Sequence, residues 1–280
     1  MIKVGFIDYY LDEWHANNYP AWLKEASNGE IVVAYCWAQI DSPHGGLTTA
    51  QWAQKNGITL CQTQEELIEK SDVLCVLAPD NPETHEELTR KALQSGKITY
   101  IDKTFAPDLA TAKRIFALAD QCGTATMTSS ALRYATEYTQ LDTTGLEAVF
   151  SVGGDDPDVH LIHQLEPIVM LCGTEAVRAK NAGTVDYPLY VIEYKDGRRV
   201  SCACSGDGHP FQMSLAFKDR TCKTFSVASD FFHAFIVDLV EFYRTGIVTI
   251  PHEQTLAVMG MREACMQAKS IPDQWVEVPV

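Results

Sequence analysis

Short β-branched apolar runs alternate with stretches of helical periodicity through the first 125 residues of this chain, and that alternation decides its architecture. Strands are expected at Ile2–Ile7, Ile31–Trp37, Val73–Leu77, Ile98–Ile101 and Thr124–Thr128. Between them, Pro82–Ser95 and Asp108–Gln121 carry an apolar stripe and run into Gly96 and Gly123, the residue type that ends helices by turning left-handed. Each strand followed by a helix needs a crossover, and successive crossovers build a parallel sheet covered on both faces. The class expected is α/β, with a Rossmann-like, doubly wound domain over residues 1–125.

The pattern changes beyond residue 126. Helix-like stretches at Leu161–Cys172 and Asp230–Thr245 flank strands expected at Tyr187–Tyr194, Arg199–Ser205 and Gln212–Lys218. Lys195-Asp196-Gly197 suits a hairpin turn, so consecutive strands here pair antiparallel. Residues 126–280 are therefore expected as an α+β domain with a mostly antiparallel open sheet, closed by a helix at Glu253–Ala268. A chain of 280 residues is long enough for two such cores.

The opening, MIKVGFIDYYLDEWHANNYPAWL, has a strand running into a helix but no Gly-x-Gly-x-x-Gly between them. Asp8, Tyr10 and Glu13 stand in the turn instead. Glycines there let backbone N–H groups approach a pyrophosphate at a helix N-terminus, and a tyrosine puts bulk where that approach occurs. A carboxylate about 5 Å from a phosphate, at an effective dielectric near 20, costs about 3 kcal/mol. Two outcomes stay open: Asp8 caps the helix through the N–H of Leu11 or Asp12 and an unusual cofactor site survives, or Asp8, Glu13 and His15 face the substrate. The second strand also ends without an acidic residue for an adenosine ribose or an arginine for a 2′-phosphate.

Three downstream segments are specific. Ser71-Asp-Val-Leu-Cys-Val-Leu-Ala-Pro-Asp-Asn-Pro-Glu-Thr-His85 is followed by Ala92-Leu-Gln-Ser-Gly-Lys97 and by Tyr100-Ile-Asp-Lys-Thr-Phe105. Together with His163-Gln-Leu-Glu166, Gly173 and a last helix around Met261–Ser270, they resemble the glucose-fructose oxidoreductase, inositol dehydrogenase and MocA (Gfo/Idh/MocA) family. The resemblance implies NAD or NADP as hydride carrier and a sugar, inositol or related polyol as substrate. It implies cofactor contacts at Asp8, Ala78, Pro79, Asn81, His85 and Asp102, and proton transfer and substrate binding at Lys103 and His163. Arg133, Tyr134 and His15 are further substrate candidates. The family's aspartate four residues before the histidine is replaced by Val159, so Asp158 or His160 is the candidate substitute.

These residue types fit the chemistry, because oxidising a secondary alcohol needs a base for the hydroxyl proton as hydride leaves carbon. Outside its motif Lys103 reads as an ordinary loop lysine, and His163 among Leu161, Ile162, Leu165 and Ile168 as a core histidine. A second reading keeps the sugar pocket for a cofactor-independent or metal-assisted lyase, isomerase or hydrolase. Its metal ligands would be His160, His163 and Glu166 at steps of three, with Asp155, Asp156 and Asp158 just ahead. A third reading is a non-catalytic sugar sensor.

The net charge of −15 argues against nucleic acid and anionic membranes as partners. Nine scattered cysteines with no CxxC pair read as buried thiols, and with no secretory leader apparent the expected location is cytoplasmic. A homodimer or homotetramer is expected from the resemblance.

Overall fold

The first strand, β1 (Ile2–Asp8), lies at the centre of a six-stranded parallel sheet whose order is β3-β2-β1-β4-β5-β6. Its partners are β2 (Ile31–Ala38), β3 (Thr59–Leu60), β4 (Val73–Val76), β5 (Thr99–Ile101) and β6 (Thr126–Met127). The structure is a computed structural model that describes residues 1–154, 156–206 and 208–280. Val4, Phe6 and Ile7 of β1 and all four residues of β4 are buried, as a strand covered on both faces requires. The crossovers are α1 (Trp14–Ala26), α2 (Thr49–Asn56), α3 (Gln64–Lys70), α4 (His85–Gln94) and α5 (Leu109–Cys122). Gly5 is required in β1, because a Cβ there would lie 2.3 Å from Ser71 Oγ and 2.5 Å from Leu67 Cδ2 at the end of α3.

Strand order runs outward in opposite directions from β1 and β4, so the chain leaves their carboxyl ends on diverging paths. Such a switch point is where open α/β sheets bind ligands. The five expected strands form, with β6 shortened to two residues, and a 3₁₀ turn at Pro82–Thr84 leads into α4. This unit comprises Met1–Ser129 and His233–Ile250. The later segment holds most of α8 (Phe231–Thr245), which returns to the first unit although nothing at residue 125 signals it. Tyr243 Oη donates to the Leu74 carbonyl at 3.4 Å and Arg244 pairs with Glu30 at 2.6 Å.

The second unit comprises Ser130–Phe232 and Pro251–Val280. Before its sheet come a 3₁₀ turn at Ala131–Tyr134 and α6 (Thr136–Thr139). The sheet holds β7 (Leu146–Gly153), β8 (Ala176–Asn181), β9 (Leu189–Tyr194), β10 (Arg199–Cys204), β11 (Gln212–Phe217), β12 (Cys222–Ser226) and β13 (Val276–Glu277). Its order is β12-β11-β7-β10-β9-β8-β13, antiparallel except for the parallel β7/β10 pair. The β9–β10 hairpin turns at Gly197 (φ 88), as expected. On one face lie α7 (Pro157–Cys172) and α9 (His252–Lys269), and Gln164 ties α7 to the sheet by accepting from Ser151 Oγ at 2.8 Å and donating to the Ala203 carbonyl at 3.1 Å.

All nine cysteines are free, and burial pushes the Cys204 thiol up to about 11 and raises that of Cys202 well above the ordinary thiol value, so both stay protonated and inert. Among the described residues no helix is long and apolar enough to cross a membrane.

Candidate functional site

The carboxyl end of β1 delivers Asp8 fully buried to the switch point. Its Oδ1 accepts from the N–H of Tyr9 at 2.7 Å and from the N–H of Ala78, just past β4, at 3.0 Å. Asp8 therefore does not cap α1; it clamps β1 to the β4 turn, where Ala78 holds a positive φ of 72°. Oδ2 of Asp8 has no hydrogen-bond partner among the described residues. Burial first, and the nearby Glu13 charge second, raise its pKa well above the usual carboxylate range.

Glu13 is the cap. Its extended backbone opens α1, Oε2 accepts from the His15 N–H at 2.7 Å, and Oε1 accepts from the Ala16 N–H. His15 Nδ1 also lies 3.2 Å from Glu13 Oε2, while its Nε2 lies 3.7 Å from Asp102 Oδ2. Burial works against protonating this ring, but the Asp102 charge and the Glu13 hydrogen bond outweigh it and raise its pKa. Asp102, one residue beyond β5, also accepts from Tyr100 Oη at 2.8 Å and Tyr19 Oη at 3.3 Å.

Lys103 is next in the chain, 6% exposed, with Nζ 3.4 Å from the Pro79 carbonyl and 3.3 Å from Asp80 Oδ1. The Lys103–Thr104 peptide bond is cis. Asn81 turns its side chain to Glu83 at 3.0 Å, and its N–H donates to the Ala78 carbonyl at 3.1 Å. His85 is fully buried with Nδ1 3.0 Å from the Phe105 carbonyl and Nε2 2.6 Å from the Leu77 carbonyl. The ring thus sits between backbone carbonyls following β4 and β5, and burial lowers its pKa; the neutral ring donates to one of the two.

A cavity of about 390 Å³ opens at the carboxyl edge of β2. Trp37, Gln39, Thr63, Glu65, Glu87 and Lys91 line it. The sequence offers no acidic ribose contact at this strand end; Gln39, two residues past Trp37, supplies an amide at the cavity wall. Sequence reasoning missed the Tyr19 and Tyr100 hydroxyls. Strand alternation placing Tyr100 and Asp102 on one side was the available signal for the second.

The second unit carries its own cluster on α7 and the Ala131–Tyr134 turn. His163 Nδ1 lies 2.6 Å from Ser130 Oγ, and its ring packs against Phe211 and His160, with centroids 5.8 and 5.7 Å away. Arg133 Nη1 donates to Glu166 Oε2 at 2.8 Å, and its Nη2 to Gln254 Oε1. Burial raises the Glu166 pKa against the pull of Arg133. Tyr134, in the same turn, is half-buried. Asp158 is exposed at the first turn of α7 and pairs with Lys269 at 3.2 Å, while its carbonyl accepts from Arg262.

The His160, His163 and Glu166 metal set is corrected by these contacts. Glu166 is spent on Arg133 and His163 on Ser130, and no group of three or more metal-type side chains gathers among the described residues. Asp155 lies outside the described residues.

A nicotinamide dinucleotide fits this first unit at two of its three points. The cavity beside Trp37 has room and amide chemistry for an adenosine, and Lys103 with Pro79 forms a polar edge at the switch point for the other end. At the diphosphate turn the fit fails, because the N–H groups of His15, Ala16 and Ala78 are already held by Glu13 and Asp8.

Residues 20–129 match the model of the GFO_IDH_MocA family, an oxidoreductase family with an NAD-binding Rossmann fold, as the motifs imply. A stretch of 59 residues is 37% identical to the uncharacterized oxidoreductase YhhX of Escherichia coli (strain K12), covering 21% of this chain and 17% of that protein. Three solved structures share the fold. GenD2 from gentamicin A biosynthesis, in complex with NAD, superposes with a TM-score of 0.81 at 14% identity, over 100% of this chain and 97% of its own. A myo-inositol dehydrogenase from Corynebacterium glutamicum ATCC 13032 gives 0.76 at 12%, over 100% and 99%. Biliverdin reductase from Synechocystis sp. PCC 6803, in complex with biliverdin and NADP+, gives 0.72 at 16%, over 95% and 98%.

Proposed function

We propose that this chain, whose residues 20–129 match the model of the Gfo/Idh/MocA oxidoreductase family, oxidises or reduces a small sugar, inositol or related polyol with NAD or NADP. The observation that carries this reading is Lys103: a lysine 94% removed from solvent at the carboxyl edge of β5, inside the family's motif. When bound, the nicotinamide supplies the site that accepts or returns hydride. The chain's own part is proton handling and orientation.

Lys103 receives the hydroxyl proton of the substrate, and the Pro79 carbonyl holds its Nζ in place. Substrate binding in the second unit falls to His163, oriented by Ser130, with Arg133 and Tyr134. Asp158 or His160 takes the role of the missing aspartate, and Ala78, Pro79, Asn81 and Asp102 border the cofactor. In this reading residues 1–125 carry the cofactor and residues 126–280 the substrate contacts and self-association. The open sheet, where Phe150 is 54% exposed, is the face for a homodimer or homotetramer. A cytoplasmic location accords with this chemistry.

The seating of Glu13 favours a second reading, in which the same residues move protons on a keto-sugar without nicotinamide, as a lyase or isomerase. Calorimetric titration with NADH and NADPH, then a polyol panel followed by NADH absorbance, separates the two. Binding with turnover supports the dehydrogenase; no heat and no thermal shift at millimolar dinucleotide removes it.

A further inference from the structure

We propose that Glu13 is an internal occupant of the diphosphate position, so that a dinucleotide enters the first unit only in exchange for this carboxylate. The inference rests on the dinucleotide reading above and adds the residue that sets the affinity for it.

A diphosphate in a Rossmann turn is held by backbone N–H groups at the start of the first helix. In this chain those donors are the N–H groups of His15 and Ala16, and each already faces a Glu13 carboxylate oxygen, Oε2 at 2.7 Å for His15 and Oε1 for Ala16. Glu13 is 9% exposed, so these bonds are sheltered from water rather than frayed into it. His15 holds the carboxylate from a third side through Nδ1 at 3.2 Å, and is itself tethered to Asp102. Across the switch point Asp8 has taken the Ala78 N–H in the same way. Both walls of the turn are therefore satisfied by the chain's own carboxyl groups.

The glycine positions of the usual turn have changed consistently with this. Backbone needs no close approach to a ligand when a side chain from the same turn supplies the anion, so Tyr10 and Leu11 can pack into the core, where they are 9% and 1% exposed. The adenosine-sized cavity at β2 is lined without Glu13, so the exchange concerns the phosphates and leaves that cavity untouched. A dinucleotide that displaces Glu13 leaves a sheltered carboxylate beside two phosphates. Its affinity is thereby lowered relative to a glycine turn, and the carboxylate's removal raises it.

The test uses the full chain and two variants, Glu13→Gln, which keeps the cap's shape and one acceptor oxygen, and Glu13→Ser, which keeps a capping hydroxyl and empties the space. Calorimetry is run with NADH, inorganic pyrophosphate and adenosine. The expected result is a gain of about tenfold or more in NADH and pyrophosphate affinity for Glu13→Ser, a smaller gain for Glu13→Gln, and no change for adenosine. Equal or weaker binding of NADH and pyrophosphate by both folded variants overturns the proposal, as does an equal gain for adenosine. A pyrophosphate gain without polyol turnover leaves the internal-anion assignment standing while the oxidoreductase reading falls. Turnover of a polyol by the unaltered chain with no gain in either variant does the reverse.

Discussion

Replacing Glu166 with methionine tests how the second unit holds its arginine. The Arg133–Glu166 contact is 2.8 Å long, and the two side chains are 8% and 4% exposed. At that distance and an effective dielectric near 20, the attraction is about 6 kcal/mol, and the desolvation of two buried ions costs several kcal/mol each. The intact pair therefore contributes little net stability. Removing one member leaves the guanidinium buried with Gln254 as its remaining side-chain partner among the described residues, a loss of about 3–5 kcal/mol. With each kcal/mol shifting a melting temperature by a few degrees, Glu166→Met should melt roughly 10 °C lower. Arg133→Met with Glu166→Met together should recover most of that loss, since both charges are then gone. Thermal unfolding followed by circular dichroism on the unaltered chain, the two single variants Glu166→Met and Arg133→Met, and the double variant reads the cycle. A single variant losing less than about 1 kcal/mol, or a double variant no better than the worse single, refutes the account of a buried pair sustained only by mutual compensation.

Lys103→Met should lower polyol turnover by about 10²–10⁴-fold with the melting temperature nearly unchanged, and retention of a tenth of the rate would remove lysine from the proton transfer. Glu137 is pushed up by burial but accepts from Ser229 Oγ and from the N–H groups of Ala228 and Ser229, which together hold it at about 2 against an ordinary 4.5. Its folded pKa is depressed, so its stabilisation is complete above about pH 4.5 and is lost as pH falls toward 2; Glu137→Gln should flatten that acid limb in a pH-melting series. Gly5→Ala should destabilise the first unit by about 1–3 kcal/mol, because the added methyl meets Leu67 and Ser71 at closer than contact distance, and an unchanged denaturant midpoint would show that α3 gives way freely.

The first sheet was legible because its strands are buried on both faces and read as unbroken apolar runs, as in Val4-Gly-Phe-Ile7 and Val73–Val76. β7 was not, since Leu146-Glu-Ala-Val-Phe-Ser alternates with its large apolar Phe150 pointing outward. In the site, Asp102 and Lys103 could be found because a contiguous motif carries them. The roles of Asp8 and Glu13 could not. The partner of Asp8 is Ala78, 70 residues away, and Glu13 is not one of the short side chains that ordinarily cap helices, so the cap was sought at the wrong carboxylate. Glu166 misled in the same manner, because its spacing from His163 is helical but its partner lies on another element.

The return of residues 233–250 to the first unit sets an order of events during synthesis. When the first 129 residues have left the ribosome, the sheet can pair, but Tyr19 and Tyr100 still lack Phe235, whose ring centroid comes to lie 6.0 and 5.5 Å from theirs. The Leu74 carbonyl waits for a hydroxyl 169 residues downstream, and Glu30 for an arginine 214 residues downstream. The nascent first unit thus carries an uncovered apolar seam while residues 130–232 of the second unit are translated, a window for chaperone capture that ends when helix α8 emerges.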